Sequence, residues 1–192
     1  MKYSYESVFT LDSPFDLIRK LENEVCRIKD ADKLNELIEH VLNFALTANH
    51  IPEWIWAKIE MEPHSPGDKF ERDVWLTDLG GKPENFASLR RNITSSCPGM
   101  ELCRQISNCS KHMSTSVHNH HDGFKRFNVI RTSKYEETLA KRPFVAVLEH
   151  DKAENFRLVA ESGSRQLDVV KILCEEVFPY WSEKGYRLYI GV

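Results

Sequence analysis

Apolar positions recur at helical spacing through the first two thirds of the chain and then give way to short, dense runs. The first helix is expected at Ser13-Pro14-Phe15-Asp16, which offers an N-cap hydroxyl, a proline at the first helical position and an acid three residues after the cap. Leu17, Ile18, Leu21, Val25 and Ile28 then fall on one stripe. A second helix is expected from about Asp32, burying Leu34, Leu37, Ile38, Val41, Leu42 and Ala45. Pro52 either opens a new turn or kinks that helix, because it lacks a backbone donor and crowds the preceding turn. Behind it, Glu53-Trp54-Ile55-Trp56 reads as core.

The breakers in Pro63-His64-Ser65-Pro66-Gly67-Asp68 predict a loop. Phe70, Val74, Trp75 and Leu79 predict a short helix ended by Gly80-Gly81, and another covers Glu84 to Ile93. Cys97-Pro98 opens a helix running to about Met113. Phe124 to Arg131, Phe144 to His150 and Asn155 to Ala160 are rich in aromatic and β-branched residues and read as strands. The last two form a hairpin around His150-Asp151-Lys152-Ala153-Glu154. A final helix follows Gly163-Ser164, with Leu167, Val170, Cys174, Val177, Phe178 and Trp181 on one face and Gly185 at its end. The tail from Tyr186 to Ile190 is read as an added edge strand.

The pattern gives an α+β fold in one domain, residues 1–192. It comprises a mainly α-helical bundle over 13–113, an antiparallel β element of about three strands over 124–160, and an amphipathic C-terminal helix over 164–184. Composition agrees: 192 residues, 41% hydrophobic and 29% charged, supply enough apolar material for a core. The opening MKYSYESVFTLDSPFDL has no basic region followed by an apolar run, so no signal peptide is expected. No apolar stretch is long enough to span a bilayer, so no membrane partner is expected. Five cysteines, an odd number, read as reduced thiols in a cytoplasmic protein.

The net charge is −3, but Lys82 to Arg142 holds 11 Lys/Arg against 5 Asp/Glu, leaving −9 for the rest. Such asymmetry suggests a positive face for nucleic acid or an acidic partner, or simply two solvated surfaces of opposite sign. The helix CPGMELCRQISNCSKHM lies in this segment. At 100° per residue Leu102, Ile106, Cys109 and Met113 share a narrow buried stripe. Opposite them stand Glu101, Arg104, Gln105, Asn108, Lys111 and His112, with Arg104, Asn108 and His112 along one polar edge. That edge is either a solvated face or a site. A histidine titrating near neutrality and a guanidinium that forks a phosphate suit cleavage of RNA by its own 2′-hydroxyl.

Several amphipathic helices followed by Arg104-Gln105-Ile106-Ser107-Asn108-Cys109-Ser110-Lys111-His112 resemble the HEPN superfamily, whose members carry an Arg followed four to six residues later by His. The resemblance covers mainly residues 13 to 113. It implies a metal-independent ribonuclease acting as a dimer, of the kind found in phage, defence and toxin–antitoxin loci, or a binding module that has lost catalysis. It further implies that Arg104 positions phosphate, His112 is the acid/base and Asn108 supports the site, with RNA as partner. Seven residues separate Arg104 from His112, about 12 Å of helix. Convergence on one phosphate therefore needs the helix to end early or a second subunit. Lys111, Lys125 and Arg126 are the expected nucleic-acid contacts.

Two alternatives stand beside this reading. His118-Asn119-His120-His121-Asp122 could bind a transition metal through His118, His120 and His121, or form a hydrated loop or nucleic-acid contacts. Cys97, Cys103 and Cys109 are six apart and face different directions, so they form no zinc knuckle. Cys97 reads as a capping position beside proline rather than a nucleophile. The other alternative is a non-catalytic module that docks a protein partner. Neither a phosphate-cradling glycine loop nor a dinucleotide fingerprint is present, and no cofactor is expected.

Overall fold

The computed structural model describes residues 11–111, 126–131, 152–162 and 164–189. Helix α1, Pro14–Asp30, begins as the sequence implies: Ser13 Oγ accepts the Phe15 N–H at 3.1 Å, and Asp16 Oδ2 accepts the N–H of Ser13 at 3.0 Å. Its buried face is Leu17, Ile18, Leu21, Val25 and Ile28, plus one acid, Glu24. Glu24 accepts from Arg27 Nη1 at 2.9 Å and lies 3.2 Å from His40 Nδ1, so the buried carboxylate is satisfied at the α1–α2 seam.

A short turn leads into helix α2, Leu34–Glu60, about 40 Å long at 1.5 Å per residue, which folds back along α1. It runs through Pro52 without a break. Ile51 and Ile55, both fully buried, flank the proline, so packing offsets the missing hydrogen bond. Helix α3 is Pro66–Asp78. Gly80 and Gly81 end it with φ of 72° and 121°, the left-handed region, and the Gly81 N–H closes on the Leu76 carbonyl at 2.8 Å. Helix α4 is Phe86–Ser96 and α5 is Gly99–Lys111.

Strands β1 (Arg126–Arg131), β2 (Phe156–Ser162) and β3 (Arg165–Asp168) form an antiparallel sheet in the order β1-β2-β3. The register sets Phe127 opposite Ala160 and Val129 opposite Leu158, with Leu167 beside Ala160 on the other side. Phe156, Leu158 and Ala160 bury one face against the helices. The bridge Lys33 to Lys152, with the Ala153 N–H on the Asp32 carbonyl at 2.8 Å, ties the sheet to the α1–α2 turn.

The α+β architecture is therefore the expected one, with two local differences. The strand expected over Phe144 to His150 lies outside the described residues; among the described residues β2 pairs with β1 and β3. Residues 165–168, assigned from sequence to the final helix, extend as β3 and satisfy the free edge of β2. Gly185 does not end the last helix, and the tail is not a strand: helix continues through Tyr189. Gly185 allows close approach, since a Cβ there would stand 3.2 Å from Ile18 Cγ2.

That helix, α6, is α over Val169–Ile172, π over Leu173–Val177 and α again over Phe178–Tyr189. Its buried residues are Val169, Leu173, Val177 and Trp181, four apart throughout. On a regular α-helix that interval drifts about 40° per step. The wider π turn, where the Phe178 N–H bonds the Leu173 carbonyl, absorbs the drift and keeps Trp181 in the core.

Candidate functional site

Helix α5 is pinned at its start. Its first N–H, on Gly99, donates to Glu176 Oε1 of α6 at 2.5 Å, which places a carboxylate on the positive end of the helix. One residue on, Met100 Sδ accepts the Trp181 Nε1–H at 3.2 Å. A Cβ on Gly99 would stand 2.7 Å from Val177 Cγ2 and 2.8 Å from Ile172 Cγ2, so only glycine permits this approach.

The buried face of α5 is Met100, Leu102, Cys103 and Ser107. This is wider than the expected stripe and turned from it: Ile106 is half-buried and Cys109 exposed, while Met113 lies outside the described residues. The cause is that α5 packs against both α2 and α6. Cys97 is the C-cap of α4, and burial with the nearby Glu176 carboxylate pushes its thiol up to about 11. Burial likewise holds the Cys103 thiol well above its ordinary value. Neither is a ready nucleophile at neutral pH.

The outward edge of α5 carries Glu101, Arg104, Gln105 and Asn108, all partly buried. Arg104 forks Glu101 through Nε at 2.8 Å and Nη2 at 2.5 Å, and this bonding raises the guanidinium's affinity for its proton. Gln105 Nε2 donates to the same carboxylate at 2.7 Å.

Across from Arg104, α4 presents Arg90 and Arg91. Arg90 is held on two sides: Nη2 donates to Asn49 Oδ1 at 2.8 Å, and its guanidinium lies 5.1 Å from the centre of the Phe86 ring. Asn49, on α2 and 5% exposed, donates in turn through Nδ2 to the fully buried Ser107 Oγ of α5 at 3.2 Å. One buried amide thus links α2, α4 and α5 and fixes an arginine at the rim.

These residues enclose a cleft of about 340 Å³ among α2, α4 and α5, lined by Asn49, Pro52, Arg90, Arg91, Thr94 and Arg104 with Glu101 at the edge. Its lining carries three guanidiniums against one carboxylate. The chemistry that matches is an anion with several oxygens, because guanidinium donates in a planar fork and keeps its charge at any working pH.

Among the candidates that fall on described residues, Arg104 lines this cleft. Asn108 lies one turn beyond it on the same helix. Lys111 is the last residue of α5 and Arg126 the first of β1. His112, His118, His120, His121 and Lys125 lie outside the described residues. Among the described residues, no three His, Cys, Asp or Glu side chains gather where they could hold a metal ion.

The sequence reading missed Arg90, Arg91 and Asn49. The signal available was an adjacent arginine pair inside the positive segment and one amide interrupting the buried stripe of α2. No helix among the described residues is long and apolar enough to cross a membrane. No family model, curated protein or solved structure matches the chain.

Proposed function

We propose that the chain binds RNA through the Arg90–Arg91–Arg104 cleft, as a HEPN-like RNA-binding or metal-independent ribonuclease-type protein acting as a dimer. The observation that carries the reading is the meeting of three guanidiniums from two helices in one concavity, one of them held by a buried amide. Phosphate is the anion that best repays such an arrangement, and a single-stranded backbone presents one at each nucleotide.

In this reading Arg90 and Arg91 track the backbone. Arg104 exchanges its fork on Glu101 for one on a phosphate, trading one charge-assisted pair for another. His112, on the same polar edge in sequence, would take the 2′-hydroxyl proton and later return one to the leaving oxygen, so no metal is needed for the step. Asn108 would support the scissile phosphate.

The test is a labelled single-stranded RNA pool with tag-free protein in EDTA, beside Arg90→Ala, Arg104→Ala and His112→Ala. Binding should weaken with salt, and each arginine variant should reduce the magnitude of the log–log slope by about 0.7. Cleavage lost in His112→Ala with binding retained supports the ribonuclease; binding without cleavage supports the RNA-binding form. Arginine variants that bind as the parent does would remove the cleft from the proposal.

A further inference from the structure

A second concavity lies among α1, α3 and α6. It encloses about 640 Å³ and is lined by Phe15, Phe70, Phe178 and Tyr186, with Ile18 and Gly185 at its base. Among the described residues three large hydrophobic side chains are exposed, and two of them, Phe70 at 50% and Tyr186 at 65%, stand on this groove. Exposed aromatics that converge, rather than scatter, mark a surface that sheds water on binding.

The base is rigid. Phe15 stacks on the fully buried Trp75 with ring centres 5.3 Å apart, and the close approach at Gly185 locks α6 to α1. The acids of the lining outnumber its bases: Asp16, Glu22 and Glu71 against Arg19. Arg19 is held by Asp16 at 2.5 Å, and Glu71 engages Lys58 at 3.1 Å through one oxygen while its other oxygen is buried, so Glu22 is the exposed carboxylate with room for a new cation. All three helices also belong to the part of the chain that carries the −9 charge.

We infer that this groove docks an amphipathic helical segment of a partner protein, with its apolar face on Phe70 and Tyr186 and lysines or arginines flanking that face. Charge complementarity selects this occupant. The aromatic walls accept aliphatic or aromatic anchors, Glu22 pairs a flanking cation, and an acidic or purely apolar segment would meet repulsion or an unpaired carboxylate. The inference does not rest on RNA binding, since the groove shares no residue with the arginine cleft.

The experiment uses the full chain and three short fluorescent peptides. One has leucines at helical spacing with lysines on the other positions, the second has glutamates in place of the lysines, and the third is a scramble of the first. Anisotropy should report binding of the lysine peptide well above the other two. Tyr186→Ser and Phe70→Ser, both at exposed positions, should each weaken it about tenfold. Glu22→Lys should weaken it less and flatten its salt dependence. Arg104→Ala should leave it unchanged while altering RNA binding, which separates the two sites.

Equal binding of lysine and glutamate peptides, or of ordered and scrambled ones, would overturn the inference. So would aromatic variants that bind as the parent does. Self-association of the chain that Tyr186→Ser abolishes would assign the groove to a second copy. Peptide binding that appears only after residues 1–10 are removed would assign it to the chain's own segment.

Discussion

Replacing Gly99 with alanine tests whether the contact between α5 and α6 is as tight as the geometry states. The new methyl carbon would stand 2.7 Å from Val177 Cγ2, 2.8 Å from Ile172 Cγ2 and 3.1 Å from Glu176 Oε1. Two of these contacts fall well inside van der Waals separation, and both are to branched side chains in a filled core. Relieving them by displacing α5 would lengthen the 2.5 Å bond from the Gly99 N–H to Glu176. Overpacking costs about 1–3 kcal/mol, and weakening a charge-assisted cap adds about 1 kcal/mol. Alanine's helix preference returns at most about 1 kcal/mol, and less in the first turn. The net is a loss of about 2 kcal/mol, or about 4–8 °C in Tm for a chain of this size.

Urea unfolding followed by far-UV circular dichroism measures it, with an unchanged m-value if the native fold persists. Val177→Ala, which removes the closest methyl, should be less costly in the Gly99→Ala background than in the parent, with a coupling of at least about 1 kcal/mol. Gly99→Ala as stable as the parent, or additive with Val177→Ala, would refute the close approach. It would also undo the argument that this contact sets where α5 presents Arg104.

Four further outcomes are expected. Thiol titration of the native chain at pH 8 should label Cys26 and Cys109 quickly and Cys97 and Cys103 only on unfolding, because the second pair is buried. The Cys97 thiol sits at about 11 when folded against an ordinary value of 9.0, so its contribution to stability is complete below pH 9 and lost between about pH 9 and 11; thermal melts across that window should show Tm falling. Asn49→Ala removes the acceptor of Arg90 and the donor to buried Ser107, which should cost about 1–3 kcal/mol in urea unfolding and weaken RNA binding if the cleft is the site. His40→Ala takes one partner from Glu24, 1% exposed, and should cost about 1–3 kcal/mol by the same measurement.

Where one local rule decides an element, the sequence was readable. Ser13, Pro14 and Asp16 act within four residues, and Gly80-Gly81 supplies a conformation that other residues rarely adopt, so the start of α1 and the end of α3 followed directly. Elements decided by neighbours were harder. Residues 165–168 carry no strong strand signal and extend because β2 has an edge to satisfy. Gly185 reads as a helix stop unless the proximity of Ile18 is known. One of the cleft's three arginines lay in plain view as Arg104 on its polar edge. Arg90 and Asn49 escaped because they lie 41 positions apart and meet only when α4 packs on α2.

The π turn in α6 has a bearing on how the chain tolerates changes in length. Removing the exposed Glu175 would reset the spacing of Val169, Leu173, Val177 and Trp181 from four-four-four to four-three-four. That is eleven residues, within about 20° of three full turns of an ordinary α-helix. The same four side chains would still share one face, and the helix could close into regular hydrogen bonding. A single deletion in the middle of α1 or α2 has no such reserve, because everything beyond it turns by about 100° and the buried stripe leaves the core. α6 thus holds one residue of slack, and the cap that Glu176 provides to α5 depends on how that slack is spent.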